Sequence, residues 1–306
     1  MTPYRIIFAG TPDFAVPSLS TLHESDHEII MVITQPDRPK GRGKKLKASP
    51  VKEKALALGL NIMQPTSINS PESIAQVQQL EPDILVVVAY GQLLKKPLLE
   101  SPLQGVLNVH PSILPKYRGP APIQWAILDG CHQTGISIIQ LDEGLDTGDV
   151  LQLEKVSIHP KETAGMLHDR LARMGGDLLV DTINKMIRKD ITPIPQDHSQ
   201  ATYARMLTKK DGLIQWDQSA QEIINFIRGM NPWPGAYTFI KNKRLKIFQA
   251  ERVDNITEKH PPGTVLDAFP DEMWIATKAG GLSILEVQGE SGKRMAIADY
   301  LRGNPI

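Results

Sequence analysis

Asn108 and His110 stand two residues apart at the end of a short apolar run, Gly105–His110, and Pro111 follows at once. Two apart on a strand, the side chains share a face, and the proline turns the chain out of the sheet. Together they put an amide donor beside an imidazole, a pair able to hold a developing negative charge and to move a proton near neutral pH. Taken alone, Asn-x-His is more often a turn or a satisfied polar pair. A second stretch adds weight: the apolar run Ile136–Leu141 leads into Asp142, Glu143, Asp146 and Asp149. Four carboxylates so close together suit a solvated loop or half of a cation site. No histidines cluster with them, and their spacing is not that of an EF-hand. Gly144 and Gly148 instead suggest a tight loop that sends one acid back toward the neighbouring strand end.

The elements around these residues are legible. Apolar runs at Arg5–Ala9, Glu28–Thr34, Asp83–Ala89, Gly105–His110 and Gly135–Leu141 read as strands, several with apolar residues in succession, as in parallel strands covered on both faces. Helices are predicted at Phe14–Glu24, Pro50–Leu58, Pro71–Leu80, Ala121–Asp129 and Thr163–Lys189, the last with Gly175-Gly176 inside it. The alternation is that of a doubly wound, mostly parallel α/β sheet, in which sites form beyond the carboxyl ends of strands. Gly10-Thr11-Pro12-Asp13-Phe14 occupies the place of a dinucleotide phosphate loop, but it lacks the G-x-G-x-x-G spacing and puts an acid where a pyrophosphate would lie.

With 306 residues, 41% hydrophobic and 22% charged, the chain predicts two soluble domains. Thirty-four basic residues offset 34 acidic ones, so net charge names no partner. The single Cys131 excludes a disulfide framework and a zinc site built on cysteine pairs. The longest apolar run, Ile84–Tyr90, is far short of a membrane span, and the break at Thr11-Pro12-Asp13 argues against a signal peptide. The expected division is an α/β domain over residues 1–190, a proline-bearing linker over 191–205, and a small β-barrel of OB type over 206–306. The last rests on a short helix at Ala220–Met230 and strand-like runs at Ala236–Ile240, Leu245–Ala250, Gly263–Ala268, Trp274–Thr277 and Leu282–Val287.

Asn108-Val-His110, Ser112-Ile-Leu-Pro115, Arg118-Gly119 and Leu141-Asp-Glu-Gly-Leu-Asp146-Thr-Gly-Asp149 together resemble the formyltransferase family that uses 10-formyltetrahydrofolate. Phe8–Phe14, Thr34–Pro39, Gly41–Lys45, Ser49–Lys52, Thr202-Tyr-Ala204, Asp211–Trp216 and Arg228–Ala236 extend the likeness, over essentially the whole chain, to members acting on methionyl-tRNA. The resemblance implies a Rossmann-like catalytic domain followed by a C-terminal barrel that contacts tRNA. It implies a formyl transfer to the amino group of methionyl-tRNA for translation initiation, with 10-formyltetrahydrofolate as co-substrate and no metal. Such a transfer passes through a tetrahedral oxyanion. Asn108 would donate to it, His110 would carry the proton and also donate, and Asp146 would orient and charge the imidazole. The pterin would lie against Gln92, Leu93 and Leu94, Ser112, Ile113, Leu114 and Pro115, and the Asp142–Leu145 backbone with Asp142 and Gly144; taken alone, Leu93 and Leu94 are more often plain core residues.

Residues 38–54 hold eight basic side chains and one acid, Glu53. Such a run is usually a solvated surface. Here Gly41 and Gly43 interrupt it and it follows a strand, which suits a loop closing on a polyanion through Arg42, Lys44, Lys45 and Lys47. A second cluster includes Lys243 and Lys246, near Trp233, Tyr237 and Phe239. Residues 205–306 carry 14 basic and 12 acidic residues, so any nucleic-acid site there is a local patch. The expected partners are the acceptor end of initiator methionyl-tRNA and the folate, with no membrane, in a cytoplasmic monomer. A formyltransferase acting on an amino-sugar nucleotide is the alternative, against which the basic run speaks. A non-catalytic RNA-binding protein would not need Asn108, His110 and Asp146, and a folate hydrolase would not need the basic run.

Overall fold

The computed structural model describes residues 3–40, 45–253, 260–268, 271–290 and 292–304. The chain forms two compact units: Met1–Gly119 with Thr134–Val156 and His168–Tyr203, and Pro120–Gln133 with Ser157–Leu167 and Ala204–Ile306.

The first unit is built on a seven-stranded sheet. Its strands are β1 (Arg5–Gly10), β2 (Glu28–Ile33), β5 (Ile62–Met63), β6 (Ile84–Val88), β7 (Val106–His110), β8 (Gln133–Gln140) and β9 (Val150–Ser157), while β3 (Arg38–Lys40) and β4 (Lys45–Lys47) form a separate antiparallel hairpin. The order is β5-β2-β1-β6-β7-β8-β9. Neighbours from β5 to β7 are parallel, and β7–β8 is antiparallel. Every residue of β6 is buried, which explains its unbroken Ile-Leu-Val-Val-Val run. Ser49 and Ser70 start their helices by accepting the amides of Lys52 and Ser73, each followed by proline at the first helical position. The helix Ala164–Arg188 is continuous through Gly175-Gly176. A Cβ on Gly175 would come within 2.7 Å of Val109 Cγ1, and one on Gly176 within 2.9 Å of Thr21 Oγ1. The glycines therefore permit close packing on β7 and on the helix Ala15–His23 rather than interrupting the helix.

The second unit carries the small antiparallel β-structure expected: β10 (Tyr237–Ile240), β11 (Lys243–Val253), β12 (Val265–Ala268), β13 (Met273–Ala276), β14 (Gly281–Gln288) and β15 (Met295–Ala296). They pair as β10-β11-β14-β13-β12, with β15 beside β14. Register shifts in β11 between Ile247 and Ala250 mark bulges, which bend and twist a strand toward the curl of a barrel. The helix Ala220–Met230 opens with a Ser219–Glu222 capping box and packs with its buried face in the unit's core beside Leu245, Ile247 and Leu282.

Candidate active site

The sheet of the first unit brings the two motifs together. Asn108 and His110 flank Val109 at the end of β7, where Asn108 pairs with Ile139 and His110 with Ser137 of β8. His110 is buried at 4% exposure, and Asn108 is half-buried. The acid loop that follows β8 returns to the same place because its glycines allow it. A Cβ on Gly148 would strike the carbonyl oxygen of Gln140, and one on Gly144 would strike Thr147 Oγ1. Asp142 closes the turn by accepting from Gly144 N at 2.9 Å and from the Thr147 hydroxyl. Asp146, at φ +53°, then lies with Oδ2 3.6 Å from His110 Nδ1. The same carboxylate oxygen accepts the backbone N–H of Gly119 at 2.7 Å.

The imidazole has a defined orientation. Its Nε2 stands 3.0 Å from the carbonyl oxygen of Tyr117, which can only accept, so Nε2 carries a proton and Nδ1 is the nitrogen that gains or loses one. Nδ1 faces Asp146. The Tyr117 carbonyl that meets Nε2 and the Gly119 N–H that holds Asp146 both come from the bend 117–119, where Tyr117 and Gly119 have φ of +61° and +109°. These are backbone groups, which sequence reading did not single out; Arg118-Gly119 in the motif was their only signal.

Ser112 is fully buried, its hydroxyl donating to Lys116 O at 2.6 Å while its carbonyl accepts from Ser137 Oγ at 2.7 Å. Ser137 Oγ in turn accepts Leu114 N at 3.2 Å. This lattice fixes the 112–116 loop, with Ile113 and Pro115 half-buried and Leu114 buried. Gln92 is committed to its own surroundings, accepting Ile68 N at 2.9 Å and donating to Thr66 O at 3.2 Å. Leu94 is a core residue beside Tyr90 and Leu98, whereas Leu93 is 73% exposed. Core burial pushes the Tyr90 phenol up to about 12.

Of the basic residues, Arg42 and Lys44 lie outside the described residues. Lys45 pairs with Lys40 across the hairpin, and Lys47, exposed, pairs with Arg38. Asp37 precedes the hairpin and accepts from Lys52 Nζ at 2.7 Å and Gln64 Nε2 at 2.8 Å. In the second unit, Lys243 is exposed and Lys246 half-buried on β11, while Arg244 between them stacks 3.8 Å over the Tyr237 ring. Among the described residues, no group of three or more His, Cys, Asp or Glu is arranged to hold a metal ion, and no helix is long and apolar enough to cross a membrane.

Residues 4–183 match the formyl transferase family, and residues 206–305 match the formyl transferase C-terminal domain. A methionyl-tRNA formyltransferase of Alkaliphilus oremlandii is 48% identical over 302 residues, spanning 99% of this chain and 97% of that one. Its counterpart in Clostridium novyi is 49% identical over 303 residues, with the same two coverages of 99% and 97%. Among solved structures, an N-formyltransferase from Helicobacter canadensis in complex with folinic acid and dTDP-3-aminofucose aligns with a TM-score of 0.71 at 19% identity, over 95% of this chain and 100% of that one. A methionyl-tRNA formyltransferase from Clostridium thermocellum aligns with a TM-score of 0.57 at 18% identity, over 82% of this chain and 95% of that one. The two structures share the fold, and the near full-length sequence relatives fix the branch: the chain belongs to the methionyl-tRNA formyltransferase family.

Proposed function

We propose that the chain transfers the formyl group of 10-formyltetrahydrofolate to the amino group of methionyl-tRNA, with Asn108, His110 and Asp146 as the catalytic set. The observation that carries this reading is the convergence of Asp146 and the 117–119 backbone on the two nitrogens of His110. The neutral amine attacks the formyl carbon, a C–N bond forms, and the carbonyl oxygen becomes an oxyanion. Asn108 donates its side-chain N–H to that oxygen. His110 accepts the proton that the attacking nitrogen sheds, held as a cation by Asp146, and returns it to N10 of the folate as the C–N10 bond breaks. Formylated amine and protonated N10 balance the reaction. No covalent enzyme intermediate and no metal enters it.

Ser112, Ile113, Leu114, Pro115, Gln92, Leu93, Leu94, Asp142 and Gly144 are read as the surroundings of the folate. Ser112 and Leu114 shape the loop from inside, Leu93 offers exposed apolar surface, and Leu94 acts through the core. Residues 1–190 form the catalytic domain in this reading, 191–205 the linker, and 206–306 the domain contacting tRNA. Arg42, Lys44, Lys45 and Lys47 meet the acceptor end, and Lys243 and Lys246 meet the backbone elsewhere. The initiator tRNA is taken up in the cytoplasm by a monomer. Incubating the protein with labelled 10-formyltetrahydrofolate and either methionyl-tRNA or an amino-sugar nucleotide tests the reading. Label must pass to the methionine amine, and transfer to the sugar alone overturns it.

A further inference from the structure

Arg118 is buried at 2% exposure, and its guanidinium donates to Gln196 Oε1 from Nε at 3.1 Å and from Nη2 at 2.7 Å. Nη2 also meets His198 Nδ1 at 3.0 Å. A guanidinium accepts no hydrogen bond, so it dictates which end of the Gln196 amide faces it. The oxygen turns to Arg118, and the Nε2 donors turn to the acid loop. There they bind the carbonyl oxygens of Asp146 at 2.9 Å and Gly148 at 2.7 Å.

Asp146 is the residue of that loop with a left-handed backbone, φ +53°. A non-glycine residue keeps such a conformation only where its surroundings over-determine it. Two contacts do so here. Gly119, which follows Arg118 in the chain, holds the carboxylate; Gln196, aimed by the Arg118 side chain, holds the backbone. Both amide protons of a buried glutamine are spent on one turn of one loop, with a charged group fixing the amide's sense.

The geometry points to Gln196, aimed by Arg118, as a positioning residue for formyl transfer: it keeps the Asp146 backbone where the carboxylate reaches His110 Nδ1. The inference rests on Asp146 serving the reaction as proposed above. Without the two donors the loop is free to leave its left-handed turn, and the imidazolium loses its partner. The pterin-facing loop 112–116 does not depend on Gln196 for any of its bonds described above.

The test uses the full chain carrying Gln196→Met or Gln196→Glu, each alone and combined with Asp146→Asn. Gln196→Glu keeps the bonds from Arg118 and the side-chain volume while setting a carboxylate oxygen against the two carbonyls, so it remains informative if the methionine variant folds poorly. Turnover with methionyl-tRNA should fall roughly 10- to 100-fold in each single variant, the range usual for partners that orient a reacting group, with the folate KM within about twofold. In the Asp146→Asn background the same substitutions should cost less than about threefold, because the acid they position is gone. Equal losses in both backgrounds, or wild-type turnover in both single variants while Asp146→Asn is impaired, overturn the inference alone. Wild-type turnover in Asp146→Asn removes the role of the acid and the inference with it.

Discussion

The backbone N–H of Gly119 points at Oδ2 of Asp146 across 2.7 Å, and that oxygen lies 3.6 Å from Nδ1 of His110. One carboxylate atom thus faces a fixed amide and a titratable nitrogen at once. The amide takes up part of the negative charge and sets the oxygen's position, while the remaining lone pair is left for the imidazole. In the proposed reaction an acid held this way orients its histidine without becoming the proton carrier itself.

Removing the carrier should therefore differ from removing the acid. His110→Ala is expected to cut turnover by roughly 10²- to 10⁴-fold, as for a positioned proton-transfer group, and Asn108→Ala by a similar order, as for an oxyanion donor. Asp146→Asn keeps an acceptor for Gly119 but loses the charge, so it should lower turnover with little change in folate affinity. Steady-state kinetics for both substrates, with melting temperatures as a control for folding, separate these cases. Turnover within a few-fold of the parent for His110→Ala or Asn108→Ala would remove the mechanism.

Gly148→Ala tests the loop geometry directly. The new methyl group would run into the Gln140 carbonyl, a backbone atom at the end of β8 that cannot step aside cheaply. The acid loop must shift, carrying Asp146 away from His110. The expected result is a severe loss of turnover together with a lower melting temperature, whereas Gly59→Ala has open space around its Cβ and carries only its own left-handed backbone cost. If Gly148→Ala turns over at the parent rate, the glycine is not what brings Asp146 home.

Much of this arrangement was legible in the sequence because it is local. The apolar run of β7 set Asn108 and His110 on one face, Pro111 ended the strand, and Gly144 and Gly148 announced the turn that returns Asp146. Other parts left no local mark. β5 is two residues long, too short to show a period, and Val-Leu-Gln-Leu-Glu-Lys-Val-Ser in β9 mixes buried and exposed positions at the sheet's edge. The Tyr117 carbonyl and Gly119 amide are backbone groups, for which residue type carries no signal. Gln196 reaches Asp146 across 50 residues of chain, from a stretch whose prolines and polar residues read as connection only.

Asp37 gives a prediction about acid. Its bonds from Lys52 and Gln64 hold the carboxyl below its ordinary value of 3.8. A depressed carboxylate contributes stability that is fully present above the unfolded value and is lost as pH falls through the folded one. The anchor beside β3 should thus be intact at every pH above about 4 and release only in stronger acid. A carbon-detected NMR titration should give Asp37 a midpoint below 3.8, and Lys52→Met should raise it. A midpoint unmoved by Lys52→Met would show that the ion pair does not set the hairpin's root. Any change in formylation between pH 5 and 8 then belongs to other groups.

The basic run 38–47 separates tRNA binding from chemistry. Lys47 is exposed on β4 and has little packing to lose, and the hairpin register sets it opposite Arg38, a like charge across two strands. Like charges so placed repel, so the hairpin favours any ligand that neutralises them, and a phosphate backbone does so. Neutralising Lys44, Lys45 and Lys47 together should raise the tRNA KM and flatten its dependence on salt, by about 2 in the logarithmic slope if each lysine meets one phosphate. Arg42→Ala should impair formylation with no comparable loss of stability, since a guanidinium supplies forked bonds that a lysine does not. The folate KM and the melting temperature should hold in both variants, and relief of the repulsion should leave the triple variant at least as stable as its parent. An unchanged tRNA KM and salt slope in the triple variant would make this hairpin a solvated surface and nothing more.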